Sequence, residues 1–324
     1  MPKDVKDKKA SRSIFGSLLY YSILAAIVAL VVYFYIDSTE VIVKEGVVLV
    51  TGTSSGIGRN TAFYLAGKGF HTFATVRKEE DLNELKKEAK KRGLKSLIPI
   101  IADVTNQTQV DASVKAVEDY ISKNPGLELV GLVNNAGMSS RLPCEFLDIN
   151  FASMLYEINV YGVMRMCKAF IPLLRKSSTS TIVQISSILG IVTLPYTSLY
   201  SSSKFAVEAY SDALRAELHR MNIRVVSVQP GYVKTEIVKK AKKAMETHGL
   251  LNRTDAHNYP KFNYYTINDE DRPVIPVEET ILHAIQIKRP FPAYITASPK
   301  EKIPAIIFTL LPKWINDLVR NNWV

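Results

Sequence analysis

"VVLVTGTSSGIG", residues 47–58, runs from four apolar, mostly β-branched residues into a serine- and glycine-rich turn. A short apolar run bounded by turn residues reads as a buried strand, and the residues after the turn read as the start of a helix. Gly52 permits a tight turn, Gly56 lets the backbone approach a pyrophosphate, and Gly58 allows close packing of helix on strand. The helix N-terminus then offers free N–H groups and a partial positive charge to phosphate oxygens. The same letters also spell G-x-S-x-G (Gly52, Ser54, Gly56), the nucleophile elbow of serine hydrolases. That rival needs an oxyanion loop from an earlier strand, yet only an apolar segment and a linker precede residue 47. It also needs an acid and a histidine, which His248 or His257 supply only by assumption. The dinucleotide reading is therefore preferred.

Outward from this turn, strands and helices alternate. A helix is expected at 56–68, a strand "HTFATV" at 71–76 and a charged helix at 79–92. "SLIPIIADV" precedes a helix near 107–123, and "LVGLVNNAG" one ending near Arg175. "TIVQISS" precedes the helix of Tyr200, and "IRVVSVQPG" a basic helix near 236–247. The strands are apolar on both faces and every crossover is helical, which predicts an α/β fold, a doubly wound parallel (Rossmann) sheet with helices on both faces. Residues 249–277, rich in Asn, Tyr and Pro, break the rhythm, so 236–277 is expected to form a lid insertion beside the ligand crevice. A helix at 277–287 and "FPAYITAS" resume the pattern. The apolar tail, 300–324, reads as a packed terminal helix in preference to a membrane-touching one.

The chain has 324 residues, 47% of them hydrophobic, enough for one large domain, here set at 46–299. Its net charge of +10 is unevenly spread. The tail 1–13 carries five bases against Asp4 and Asp7, a net of +3. Residues 14–36, "IFGSLLYYSILAAIVALVVYFYI", carry no charge at all. As a helix they would span roughly 34 Å, just over the ~30 Å hydrocarbon core. Tyr20, Tyr21, Tyr33 and Tyr35 near its two ends suit the interfacial belts. A single N-terminal transmembrane helix is expected there, followed by a linker at 37–45. Cys144 and Cys167 make no disulfide framework, and the five histidines show no metal-ligand spacing, so no metal is expected. No nucleic-acid-binding motif accompanies the basic charge, so no nucleic-acid partner is expected.

The chemistry is sought at "YSSSK", 200–204. A hydride moves between a carbinol carbon and nicotinamide only if a proton moves at the oxygen. A free phenol, with a pKa of about 10, is a poor base. A cation close by favours the phenolate, and the i, i+4 spacing puts Tyr200 and Lys204 on one helix face. Ser187 ends the preceding strand and is a candidate to hydrogen-bond the substrate oxygen. Asn159, awkward inside a helix, is a candidate to hold a water in a proton relay.

"TGTSSGIG", "NNAG" (134–137), Asn159, "ISS" ending at Ser187, "YSSSK" and "PGYVKT" (230–235) together resemble the short-chain dehydrogenase/reductase superfamily in order and spacing. The likeness is good over 46 to about 240. "GLVNNAG", "INVYGVMRMCKAFIPLLRK" and "SKFAVEAYSDALRAEL" are similar to its membrane-bound retinol, hydroxysteroid and hydroxybutyrate dehydrogenases. The resemblance implies Tyr200 as general acid/base, Lys204 as its pKa modulator and ribose anchor, Ser187 as substrate orienter and Asn159 as relay organiser. It implies a cofactor site of Gly52, Ser54, Ser55, Gly56, Ile57, Gly58, Asp103 (at the adenine), Val104, Asn135, Ala136, Gly137, Pro230, Gly231, Val233 and Thr235. It also implies a homodimer. No member of the tetrad is missing, which disfavours an inactive membrane scaffold of the same fold.

The second strand ends in Arg77 and Lys78 where NAD-binding units carry an acid, and cations attract a 2′-phosphate. NADP(H) is therefore expected rather than NAD(H). The apolar "ILGIVTLPYT" and Tyr259, Phe262, Tyr264 and Tyr265 suit a lipophilic steroid, retinoid or fatty carbonyl and its alcohol. "KKAKK" (239–243) reads as a solvated face or one resting on anionic lipid. Residues 37–45 hold three acids against Lys44, a net of −2, so the basic side of the span stays cytosolic. The catalytic domain is then expected on the lumenal side of the endoplasmic reticulum membrane.

Overall fold

The computed structural model describes residues 39–251, Tyr259, 276–321 and isolated positions between 22 and 28, with backbone only from 318 onward. The expected anchor and Phe262, Tyr264 and Tyr265 thus lie outside the described residues, apart from those isolated anchor positions. Among the described residues no helix is long and apolar enough to cross a membrane.

Of the described residues, those in 43–286 and 290–321 form one compact unit, and 39–42 group with 287–289. In the latter, Val41 bridges Ile287, and Lys288 pairs with Glu40 at 2.8 Å. The larger unit begins with β1 (Val47–Val50), helix α1 (Gly56–Gly67), β2 (His71–Val76), α2 (Glu79–Lys91), β3 (Leu97–Ile101) and α3 (Gln107–Lys123). The second half runs β4 (Leu129–Asn134), α4 (Ile149–Tyr156), one π-helical turn (Glu157–Tyr161), α5 (Gly162–Leu174), β5 (Ser180–Ile185), α6 (Ser198–Leu218) and β6 (Ile223–Pro230). It ends with α7 (Ile237–Thr247), α8 (Val277–Gln286), β7 (Ala293–Thr296), α9 (Pro299–Leu310) and α10 (Lys313–Asn321).

The seven strands are all parallel, in the order β3-β2-β1-β4-β5-β6-β7. Strand residues alternate between two cores. Val47, Leu49, Leu132, Ile182 and Val225 join the cluster that Val110, Val163, Met166, Phe170 and Leu214 of the helices complete. Val48, Val50, Val133, Val183 and Val226 face the other way, onto Leu65, Ile281 and Ile285. Each such side chain, fully buried, stabilises by about 1.5–3 kcal/mol, and neither face can be given to water. The chain reverses direction across the sheet between β1 and β4, and there a crevice opens beyond the strands' carboxyl ends.

The tail departs from the packed helix expected of it. It forms two short helices with Ala305 buried but Ile303, Ile306, Ile307 and Leu310 exposed. Pro312 ends the first helix at Leu310, since a residue before proline is pushed towards extended backbone and Leu311 has ψ 145.

Candidate active site

The turn after β1 is shaped as its glycines require. Gly52 and Gly56 adopt left-handed φ of +68 and +61. A Cβ on Gly52 would stand 2.7 Å from the Ala136 Cα, and one on Gly58 would stand 2.2 Å from the Asn135 Nδ2 and 2.5 Å from the Gly52 carbonyl. Asn135 ties the turn to the end of β4, donating to the Thr51 and Gly52 carbonyls at 2.8 and 3.1 Å. Thr51 Oγ1 accepts in return from the Asn135 and Ala136 N–H groups at 2.9 and 3.0 Å. Thr235, after β6, closes over Gly56.

These segments line a crevice of about 410 Å³. Its walls include Gly52, Ser54, Ser55, Gly56, Ile57, Arg77, Asp103, Val104, Asn135, Ala136 and Gly137. Ser187, Tyr200, Lys204, Pro230, Gly231, Val233 and Thr235 complete the expected set. Three expected residues stand back from it. Gly58 is packed under the turn, exposed Lys78 caps the start of α2 outside the lining, and Asn159 is buried behind the wall. A flat, phosphate-bearing dinucleotide fits this cradle. The close approaches at Gly52 and Gly58 exclude any side chain, and two wall residues, Thr75 and Ser186, keep buried hydroxyls without partners among the described residues.

Tyr200, on α6, is half-buried and lines the crevice beside Ser187, whose hydroxyl favours the phenolate. Ser187 Oγ accepts from the Leu189 N–H at 3.1 Å and contacts the Pro230 carbonyl at 3.4 Å. Lys204, one turn on, is buried with its ammonium 5.8 Å from the Tyr200 ring centre, donating to the Ile185 carbonyl at 2.8 Å. The expected lowering of the phenol does not result from this arrangement. Burial outweighs the Ser187 hydroxyl and pushes Tyr200 up to about 12, and it pulls Lys204 down to about 8 against the opposing pull of Glu208.

Asn159 occupies the π-helical turn between α4 and α5, a local widening of the helix that frees its side chain to reach outward. Its amide accepts from the Met138 N–H at 2.8 Å and donates to the Met138 carbonyl at 2.9 Å and to Ser203 Oγ at 3.0 Å. These bonds make the Asn159 side chain a clamp. It fixes the segment after β4 to the helix that carries Tyr200.

Several wall residues carried no sequence signal. Met138, Met154, Ile158 and Ala244 give the crevice an apolar end, next to a cluster of Leu142, Phe146, Phe151, Leu155, Leu199 and Met245. Tyr259 joins that cluster, packing on Phe146 at 5.4 Å and donating to Glu145 at 2.6 Å. Tyr196, before α6, holds a left-handed φ of +67, and its carbonyl accepts from the Leu142 N–H at 2.8 Å. Lys240 of α7 reaches the glycine turn, donating to Ser55 Oγ at 2.7 Å and Ser54 Oγ at 3.4 Å. No histidine among the described residues hydrogen-bonds Ser54, and His248 packs on Phe151 at 5.3 Å, so no hydrolase triad forms among them.

A model of the short chain dehydrogenase family matches residues 46–246. A 3-ketodihydrosphingosine reductase of Bacteroides thetaiotaomicron is 39% identical over 186 residues, 57% of this chain and 63% of that protein. The 3beta-hydroxysteroid dehydrogenase dhs-16 of Caenorhabditis elegans is 34% identical over 242 residues, 74% of this chain and 61% of that protein. In both cases the match spans less than two thirds of the relative's length. A solved short chain dehydrogenase/reductase from Burkholderia phymatum, in complex with NAD, superposes with a TM-score of 0.69 at 21% identity, covering 86% of this chain and 96% of that one, a likeness of fold. With the glycine turn, the parallel sheet and the Tyr200–Lys204 helix in place, the chain belongs to the short-chain dehydrogenase family.

Proposed function

We propose that this chain is a membrane-anchored oxidoreductase that interconverts a lipophilic alcohol and its carbonyl with NADP(H). The observation that carries the reading is the convergence of Tyr200, Ser187 and Lys204 on the crevice that also contains the glycine turn. When bound, the nicotinamide supplies or accepts the hydride.

The chain's own residues handle the proton and the oxygen. Tyr200, held protonated by burial, donates its phenolic hydrogen to the carbonyl oxygen in reduction and receives it back in oxidation. Ser187, which lines the crevice with Tyr200, hydrogen-bonds the same oxygen and aligns it. Lys204 keeps a positive charge one turn away, which at 5.8 Å does not offset burial of the phenol but stabilises the phenolate once it forms. Gly52, Gly56 and the α1 N-terminus receive the pyrophosphate.

NADP(H) is preferred because Arg77 lines the crevice at the end of β2 and Lys240 stands over Ser55. Asp81 and Asp103 also line the crevice, so the preference rests on the position of Arg77 at the end of β2 and not on net charge. A lipophilic substrate is favoured by the apolar end at Met138, Met154 and Ile158. The reductase of 3-ketodihydrosphingosine and the hydroxysteroid dehydrogenase among its relatives are named for lipid substrates of this kind. The anchor at 14–36, endoplasmic reticulum placement and a homodimer complete the reading. Exposed Ile149, Tyr161 and Phe205 offer apolar surface for the last. The test is turnover against steroids, retinoids and long-chain alkyl ketones, each with NADPH and NADH. No turnover of any of them with either nucleotide overturns the proposal.

A further inference from the structure

The tail helices carry an apolar face that the fold does not use. Ile303, Ile306, Ile307 and Leu310 recur at i, i+3, i+4 and i+7 along α9, which puts them on one stripe. All four are exposed, Leu310 to 79%, and Trp314 at the start of α10 is exposed to 66%. The stripe's opposite side is where α9 meets the protein, through buried Ala305. A soluble surface scatters such residues singly, and a contiguous group of five is a docking face.

The face is held rather than frayed. Asn316, buried, donates to the Phe308 and Leu311 carbonyls at 2.9 and 3.4 Å and so fixes α10 against the end of α9. At the other end Glu301 receives the Ser298 hydroxyl at 2.8 Å and the Tyr232 N–H at 3.1 Å. Tyr232 follows Gly231, a crevice residue whose N–H is bonded to the Thr296 carbonyl at 3.0 Å. The face is therefore tied to the loop that lines the proposed active site.

Charge decides what covers it. Lys300, Lys302 and Lys313 are exposed around the stripe, against one exposed acid, Asp317, while Glu301 is turned inward to the bonds just described. Apolar residues bordered by lysines, with a tryptophan at the boundary, match an anionic bilayer surface. The side chains enter the acyl region while the ammonium groups meet the headgroups. The uncharged 23-residue run at 14–36, proposed above as an anchor, makes a bilayer an available partner for this chain, and the inference rests on that reading. We infer that the Ile303–Ile306–Ile307–Leu310–Trp314 face of α9 and α10 lies in an anionic lipid surface, holding the mouth of the crevice at the bilayer. This inference does not depend on the reaction assigned above.

The chain's two tryptophans, Trp314 and Trp323, make the test direct. In the full chain, Trp323→Phe leaves Trp314 as the sole reporter. Reconstituted into phosphatidylcholine–phosphatidylserine vesicles, Trp314 should be quenched by lipids brominated along the acyl chain and shielded from aqueous iodide. Adding Ile307→Lys and Leu310→Lys, both at exposed positions, should reverse that pattern while leaving the circular dichroism unchanged. Iodide quenching without bromolipid quenching in the parent overturns the inference. So does shielding from both quenchers, which would mean that protein covers the face. An unchanged pattern in the double-lysine variant would likewise overturn it, because the immersion would then come from elsewhere.

Discussion

The Lys204 ammonium donates its 2.8 Å hydrogen bond to the Ile185 carbonyl, while the Tyr200 ring centre lies 5.8 Å away. The two groups share a helix face, but their titrations are separated by burial, with Tyr200 up to about 12 and Lys204 down to about 8. The phenol stays protonated across ordinary assay conditions, and the charge that changes is that of Lys204. Carbonyl reduction should be fastest below about pH 8 and fall as the ammonium is lost. Oxidation, which needs the phenol deprotonated, should rise with pH. Lys204→Arg keeps the charge, so its reduction profile should extend to higher pH. Identical kcat/KM profiles in variant and parent would show that Lys204 does not set the alkaline limb. Stability follows the same linkage. Because the folded pKa is depressed, the unfolded chain binds more protons between about 8 and the ordinary value of 10.5, and stability should increase with pH across that window.

Tyr200→Phe removes the proton donor while leaving the glycine turn and Lys204 intact. Turnover should be abolished, whereas nucleotide binding, followed by fluorescence titration, should remain within a few-fold of the parent. Near-normal turnover would end the mechanism proposed for this site. A fluorophosphonate probe supplies the complementary check, since covalent labelling at Ser54 would restore the hydrolase reading.

Arg77→Asp converts attraction for a 2′-phosphate into repulsion and should weaken NADP(H) far more than NAD(H). A charged hydrogen bond of this kind contributes ~1.5–3 kcal/mol, about ten- to hundredfold in affinity. Lys240→Gln gives a second reading of the same wall, because Lys240 reaches Ser55 at 2.7 Å from a different helix. Its loss should also weaken NADP(H). Binding of both nucleotides unchanged in both variants would remove these cations from the cofactor site.

Asn159→Ala removes the clamp between Met138 and Ser203. The Met138 N–H and carbonyl lose partners at 2.8 and 2.9 Å, and the new side chain replaces neither. A buried polar group left unsatisfied costs roughly 1–3 kcal/mol, so the urea midpoint should fall with an unchanged slope. An unaltered midpoint would mean that water takes over the bonds without loss.

Much of this architecture was legible because local and long-range signals agree. β2 and α3 lie where the hydrophobic run and the helical pattern place them, and the structure adds the cap that fixes the start of α3. At Asn106 the side chain accepts from the Gln109 N–H at 3.1 Å and starts the helix. Much of the crevice lining was legible because glycine positions report close backbone approach. Other features were not. The π-helical turn at Asn159 depends on which side-chain bonds compete with the helix ladder, and periodicity does not record that competition. The Lys240–Ser55 contact joins residues 185 apart in sequence, where a basic run reads equally well as solvated surface. The tail's exposed stripe is apolar in sequence, and composition alone does not distinguish a face turned inward from one turned out.

The last prediction concerns the side of the membrane on which the catalytic domain lies. Five basic residues precede the uncharged run, and residues 37–45 carry a net of −2, so with 14–36 as the proposed anchor the positive-inside rule predicts a cytosolic N-terminus and a lumenal domain. Asn106, in the sequon "NQT", provides an internal reporter. It is exposed, and its carbonyl oxygen, not its nitrogen, is the group engaged in capping α3. In sealed microsomes the catalytic domain should therefore resist added protease until detergent opens the vesicle, and a glycosidase should shift the mass of the protected fragment. Replacing Lys3, Lys6, Lys8, Lys9 and Arg12 by glutamine removes the bias and should yield a mixed population, part protected and part digested. Complete digestion of the wild-type domain without detergent places it in the cytosol and reverses the orientation argued from charge.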